Sequence, residues 1–147
     1  MRVVLPLMLL STLAASGAEG IFGVWRVNLI RSTAPFPDLV EVRFEPHGRG
    51  EVFTVERVQA DGRATTSSTI LYFDTLPRDF QDSDCSGTQS SRRLDDTTAE
   101  ILRACADGRT MRIVRRFGEK PRELVLKITE QRSAGWRAER RLLLEKE

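Results

Sequence analysis

The sequence predicts an all-β fold: a single antiparallel up-and-down meander of eight to nine strands, closed into a barrel and carried behind an N-terminal secretion signal. Three observations point there. Short runs of alternating apolar and polar residues recur through to Leu144, clusters of Gly, Asp and Pro separate them, and no run of ten or more residues keeps a 3.6-residue period.

The leader comes first. Arg2 supplies a basic start, Val3 to Ala14 are apolar apart from Pro6, Ser11 and Thr12, and Ser16-Gly17-Ala18 places small residues at a cleavage site. Residues 1–18 therefore read as a signal peptide and 19–147 as one domain, exported to the periplasm or secreted. The apolar run falls short of the roughly 20 residues that span a bilayer and has no basic stop-transfer flank, so the product is expected not to be membrane-spanning. Cleavage after Ala18 leaves 129 of the 147 residues, enough for one core and not for two.

Nine strands follow in order. Val24 to Leu29, Leu39 to Phe44, Glu51 to Val58 and Thr66 to Phe73 form the first group; Thr88 to Leu94, Glu100 to Ala106, Thr110 to Phe117, Glu123 to Thr129 and Trp136 to Glu145 form the second. The alternation is clearest in Val40, Val42 and Phe44 against Glu41 and Arg43, and in Leu124, Leu126 and Ile128. Asp61-Gly62 and Asp107-Gly108 each sit between two such runs, the strongest short-range hairpin signal. One turn of helix is compatible with Asn28 to Ser32. So many consecutive strands leave costly free edges in an open sheet, which favours closure.

Charge excludes little and suggests one asymmetry. Without Arg2 of the leader, 22 basic face 21 acidic side chains, so no nucleic-acid partner is implied. Residues 101–147 nevertheless carry thirteen Lys or Arg against seven Asp or Glu. That third either faces an anionic partner or pairs with acidic neighbours across the sheet, the default for outward strand positions.

The entrance to the first strand, Phe22-Gly23-Val24-Trp25, followed by a meander with a basic last strand, resembles the calycin superfamily of lipocalins and fatty-acid-binding proteins. The longer run Gly23-Val24-Trp25-Arg26-Val27-Asn28 with Ser32 is similar to the start of small exported bacterial lipocalin-like domains. The resemblance implies a lipocalin-like barrel with Gly23 and Trp25 at its closed end and a basic residue of the last strand, Arg140 or Arg141, packed over the indole. It also implies a small apolar or amphipathic ligand. The residues themselves leave open that Trp25 is a core tryptophan of some other β fold.

Catalytic signals are sparse. His47 is the one histidine and stands in a Pro-Gly turn; no nucleophile elbow, zinc motif, phosphate-cradling loop or Cys-x-x-Cys occurs, so neither enzyme nor cofactor is expected. Asp79, Asp82 and Asp84 read either as a solvated polar loop or as calcium ligands, without EF-hand spacing. Three arginines share parity with apolar residues, which leaves them either inward or displaced at a strand end by a bulge: Arg57 with Phe53 and Val55, Arg103 with Ile101, and Arg140 with Ala138 and Leu142. An inward arginine is a natural clamp for a carboxylate, although one near a strand end also reaches solvent. Cys85 and Cys105 are expected to form a disulfide, because folding the chain back about Asp95-Asp96-Thr97 brings residue 85 opposite roughly 105 to 107. The expected function is a ligand-binding barrel. The alternatives are a packed barrel acting as an interaction module of the cell envelope and an enzyme on a barrel scaffold, and a hollow interior is what separates the first from the second.

Overall fold

The structure, a computed structural model, describes residues 20–32, 39–132 and 135–147, so the expected signal at 1–18 lies outside the described residues. Among the described residues ten strands follow one another: β1 (Gly23–Val27), β2 (Leu39–His47), β3 (Gly50–Val58), β4 (Ala64–Leu71), β5 (Arg78–Gln81), β6 (Ser86–Arg93), β7 (Thr98–Cys105), β8 (Thr110–Phe117), β9 (Glu123–Gln131) and β10 (Arg137–Lys146). Each of the nine expected runs is a strand. The count of eight to nine is corrected to ten by β5, whose four residues Arg-Asp-Phe-Gln offer a single apolar side chain and therefore no alternation to recognise. The helical turn considered at Asn28 to Ser32 is instead an Asx turn: Asn28 Oδ1 accepts from the N–H groups of Ile30 and Arg31, both at 3.1 Å.

All strands lie in one antiparallel sheet of order β4-β3-β2-β1-β10-β9-β8-β7-β6-β5. Pairing of β1 with β10 joins the two ends of the chain and rolls the meander into a near-closed barrel, with β4 and β5 as the edges of a seam. Side chains cross that seam. Gln89 Nε2 donates to Thr69 Oγ1 at 3.0 Å, and the Phe73 N–H donates to Ser91 Oγ at 2.9 Å.

The interior divides into a packed end and a hollow end. At the packed end Trp25 is 1% exposed, its Nε1 donates to the Ile21 carbonyl at 2.8 Å, and Phe117 lies 6.4 Å from it, centroid to centroid. Phe44, Leu71, Ile101, Leu124, Leu142 and Leu144 fill the layers beside it. The basic residue over the indole is Lys146, with Nζ 5.6 Å from the ring centroid, and not Arg140 or Arg141. The antiparallel register decides this. Trp25 stands opposite Lys146, so Arg140 lies six residues further along β10, about 20 Å away at the rise of a strand, and Arg141 has the opposite parity and pairs with Lys127.

A buried ion pair belongs to the packed end. Arg115 donates from Nη1 and Nη2 to the two carboxylate oxygens of Glu51 at 2.5 and 3.2 Å, and Glu51 is fully buried. The Arg115 guanidinium lies 4.6 Å from the Phe44 ring centroid and Phe44 stacks on Phe53 at 4.9 Å, so the pair is sealed under aromatic surface.

Candidate functional site

The hollow end is a cavity of about 400 Å³. Its deep wall is apolar: Phe53 and Val55 of β3, Met111 and Ile113 of β8, and Leu126 and Ile128 of β9. Its rim is charged. Arg57, Arg103, Arg109, Arg132 and Arg140 line it together with Asp84 and Glu130. The three arginines singled out by strand parity thus converge on one cavity from three separate strands, β3, β7 and β10.

Arg103 is the most enclosed of them, 5% exposed. Its Nε donates to Gln89 Oε1 at 2.9 Å, its guanidinium lies 4.2 Å from the Phe80 ring centroid, and Nη1 stands 3.7 Å from Asp82 Oδ2, beyond hydrogen-bond distance. Burial pushes its pKa down to about 10; Asp82 opposes that, and the like charge of Arg57 adds to it. Two guanidinium groups therefore repel each other across the cavity, which an anion placed between them would relieve.

Arg109 is a rim residue that sequence reasoning missed. Ala-Asp-Gly-Arg occurs twice, at 60–63 and 106–109. In the second copy Gly108 takes φ +90°, Asp107 Oδ1 accepts the Arg109 N–H at 3.1 Å, and Asp107 Oδ2 takes its Nε at 2.7 Å. The first copy bends in the same way but leaves the Arg63 side chain 80% exposed, whereas that of Arg109 is 14% exposed because it turns inward to Glu130 at 3.1 Å and to Asp84 at 3.4 Å. The hydrogen bond that the Arg109 side chain donates to Asp107 is the main cause that raises the Arg109 pKa above its ordinary value. Glu130 was legible as an inward residue, since it shares parity with Leu126 and Ile128. Across the rim Arg140 Nη2 lies 4.0 Å and Arg132 Nε 3.7 Å from the same carboxylate.

A disulfide anchors one side of the rim. Cys85 and Cys105 are bonded at 2.07 Å, with Phe80 packed beside them. The turn between β5 and β6 is wound around Asp82, whose Oδ1 accepts the N–H groups of Asp84 and Cys85, both at 2.7 Å. Asp84 is drawn to Arg109 and Asp82 faces Arg103, so these carboxylates serve the turn and the rim; among the described residues no three His, Cys, Asp or Glu side chains converge on a metal position. His47 lies at the opposite end of the barrel, edge-on to Tyr72 at 6.5 Å. Arg141 lies on the outer face beside Arg31, Arg116 and Glu123. Basic residues of the C-terminal third are paired: Arg112 meets Glu100 at 2.6 Å, Arg115 meets Glu51, and Lys127 meets Glu139 at 3.3 Å.

No protein-family pattern matches the chain, and no curated protein matches it in sequence. Solved structures do. A Schistosoma mansoni fatty acid binding protein in complex with arachidonic acid superposes with a TM-score of 0.64 at 12% identity, covering 87% of this chain and 96% of that one. The fatty-acid-binding protein isolated from Manduca sexta superposes with a TM-score of 0.55 at 12% identity, covering 85% and 98%. The chain shares its barrel fold with these two proteins. The likeness is one of architecture, since 12% identity carries no residue-by-residue correspondence to Gly23 or Trp25. No helix among the described residues is long and apolar enough to cross a membrane.

Proposed function

We propose that this protein is an exported, non-catalytic carrier that holds a small anionic amphiphile in its barrel, with the apolar part against Phe53, Ile113 and Leu126 and the acidic head among Arg57, Arg103 and Arg140. The observation that carries the reading is the cavity of about 400 Å³, apolar in its depth and lined at its rim by five arginines against two carboxylates. A space of this size falls within the range of small-molecule sites, and it favours a carrier over a packed barrel acting through its outer surface. Two neighbours with the same fold are fatty-acid-binding proteins, one of them holding arachidonic acid, which agrees in ligand class. The Cys85–Cys105 bond agrees with export, because disulfides persist in oxidising compartments.

Calorimetric titration of residues 19–147 with decanoate tests the proposal. Saturable one-to-one binding is expected, and Arg103→Gln should weaken it about tenfold or more, the scale of one charge-assisted hydrogen bond. Equal affinity in the variant, or no binding to the parent, would overturn the reading.

A further inference from the structure

The cavity has a floor, and its position constrains which anionic amphiphile enters and which way round. Resting on the carrier reading above, we infer that the ligand sits tail-down with its head at the open rim, and that the site takes single chains of about eight to ten carbons whose anionic head is free to be bulky.

The floor is set by the packed end. Phe53, Ile113 and Leu126 are the deepest residues of the cavity, and the next inward side chains on the same strands, Glu51, Arg115 and Leu124, are buried and line no part of it. Glu51 and Arg115 form the sealed ion pair, a surface that an apolar tail gains nothing by displacing. From Phe53 to Arg57, from Leu126 to Glu130 and from Ile113 to Arg109 the separation is four residues in every case. At the rise of a strand and the tilt of a barrel that makes a well roughly 10 Å deep. An extended chain advances about 1.2 Å per bond, so roughly eight methylenes reach the bottom.

Orientation follows from where charge is satisfied. The deep wall presents only apolar side chains, while Arg57 stands four residues above Phe53, and Arg103 and Arg140, opposite Met111 and Ile128, stand two residues above the level of Ile113 and Leu126 on their strands. A head placed at the floor would lie below these guanidiniums and against Phe53, Ile113 and Leu126, which offer no donor. The rim also includes the exposed residues Gln59, Ser83, Asp84 and Arg132, so a large head group projects towards water and meets no closed wall.

Titration with saturated fatty acids of six to sixteen carbons, alongside the lysophosphatidate carrying a ten-carbon chain, tests the inference. Affinity should rise about fourfold per methylene while each added group is buried, then level off near ten carbons. The lysophosphatidate should bind within about threefold of decanoate. A steady gain through to sixteen carbons together with rejection of the lysophosphatidate means a head-down ligand and overturns the inference, while the carrier reading stands. Failure of every ligand overturns the carrier reading itself.

The two tryptophans give an independent readout, because Trp25 closes the packed end and Trp136 stands with Arg132 beside the rim. In a Trp136→Phe protein, decanoate brominated at its terminal carbon should quench Trp25 emission at least twice as strongly as decanoate brominated next to the carboxylate. The reverse order overturns the orientation. Val55→Phe, which fills the middle of the well, should move the plateau at least two carbons shorter, and an unmoved plateau would overturn the depth inferred from the strands.

Discussion

Replacing Glu51 by Leu and Arg115 by Met, singly and together, separates the cost of breaking a buried ion pair from the worth of having it. Glu51 is fully buried, the Arg115 side chain is 7% exposed, and two hydrogen bonds join them. The two single substitutions are not equivalent. Arg93 Nη1 lies 3.6 Å from Glu51 Oε1, so Arg115→Met leaves the carboxylate one cationic neighbour. Glu51→Leu leaves Arg115 buried between Phe44 and Phe73 with no carboxylate among the described residues. An abandoned buried charge costs about 3–5 kcal/mol, so Glu51→Leu should fall near the top of that range and Arg115→Met near the bottom. The double variant, which removes both desolvation costs, should lie within about 1–2 kcal/mol of the parent. Urea unfolding at pH 7 followed by tryptophan emission measures all four proteins. Two single variants each within about 0.5 kcal/mol of the parent would refute the reasoning, because they would place both groups in contact with water.

Trp25→Ala removes an indole that is 1% exposed together with its hydrogen bond to Ile21, and should cost about 3–5 kcal/mol in the same assay; a midpoint unchanged from the parent would mean the ring is dispensable for closing the barrel. The paired substitution Cys85→Ser, Cys105→Ser opens a 20-residue link and should cost on the order of 3 kcal/mol, and thiol counting on denatured, unreduced protein should find none free, two per chain being the contrary result. Glu100 is subject to burial, which raises its pKa, but hydrogen bonds from Arg92 and Arg112 outweigh this and hold it below the unfolded value of 4.5. Its contribution to stability is therefore complete above about pH 4.5 and is lost as the pH falls through the lower native value, so Glu100→Gln should flatten the acid limb of the stability curve; an identical acid limb would be evidence against the pairing.

Much of this architecture is local and was legible in the chain. A strand has a side-chain period of two, so alternation at Val40, Val42 and Phe44 or at Leu124, Leu126 and Ile128 reports both the element and its buried face without any partner. The same parity made inward positions for Arg57, Arg103 and Arg140 one of two readings. The turn at Asp95-Asp96-Thr97 foretold which residues face each other across a single hairpin, and the structure pairs Gly87 with Cys105 there. Where the local signal was short it failed. Arg78–Gln81 contains one apolar residue, and what makes it a strand is β6 alongside it.

The remaining features depend on closure. Which basic residue covers Trp25 is set by how β10 slides against β1, a pairing between residues some 120 positions apart in sequence that no local pattern encodes, and it selects Lys146 over Arg140 and Arg141. That three inward arginines meet at one rim, that Arg109 turns in while its counterpart Arg63 in the repeated Ala-Asp-Gly-Arg turn stays out, and that a well remains above Phe53 all follow from the curvature that ten strands impose. Parity along a strand tells inside from outside. Depth along the barrel axis, and with it the division into a packed end and a hollow one, is a sum over the registers of every neighbouring pair, and only the assembled sheet performs that sum.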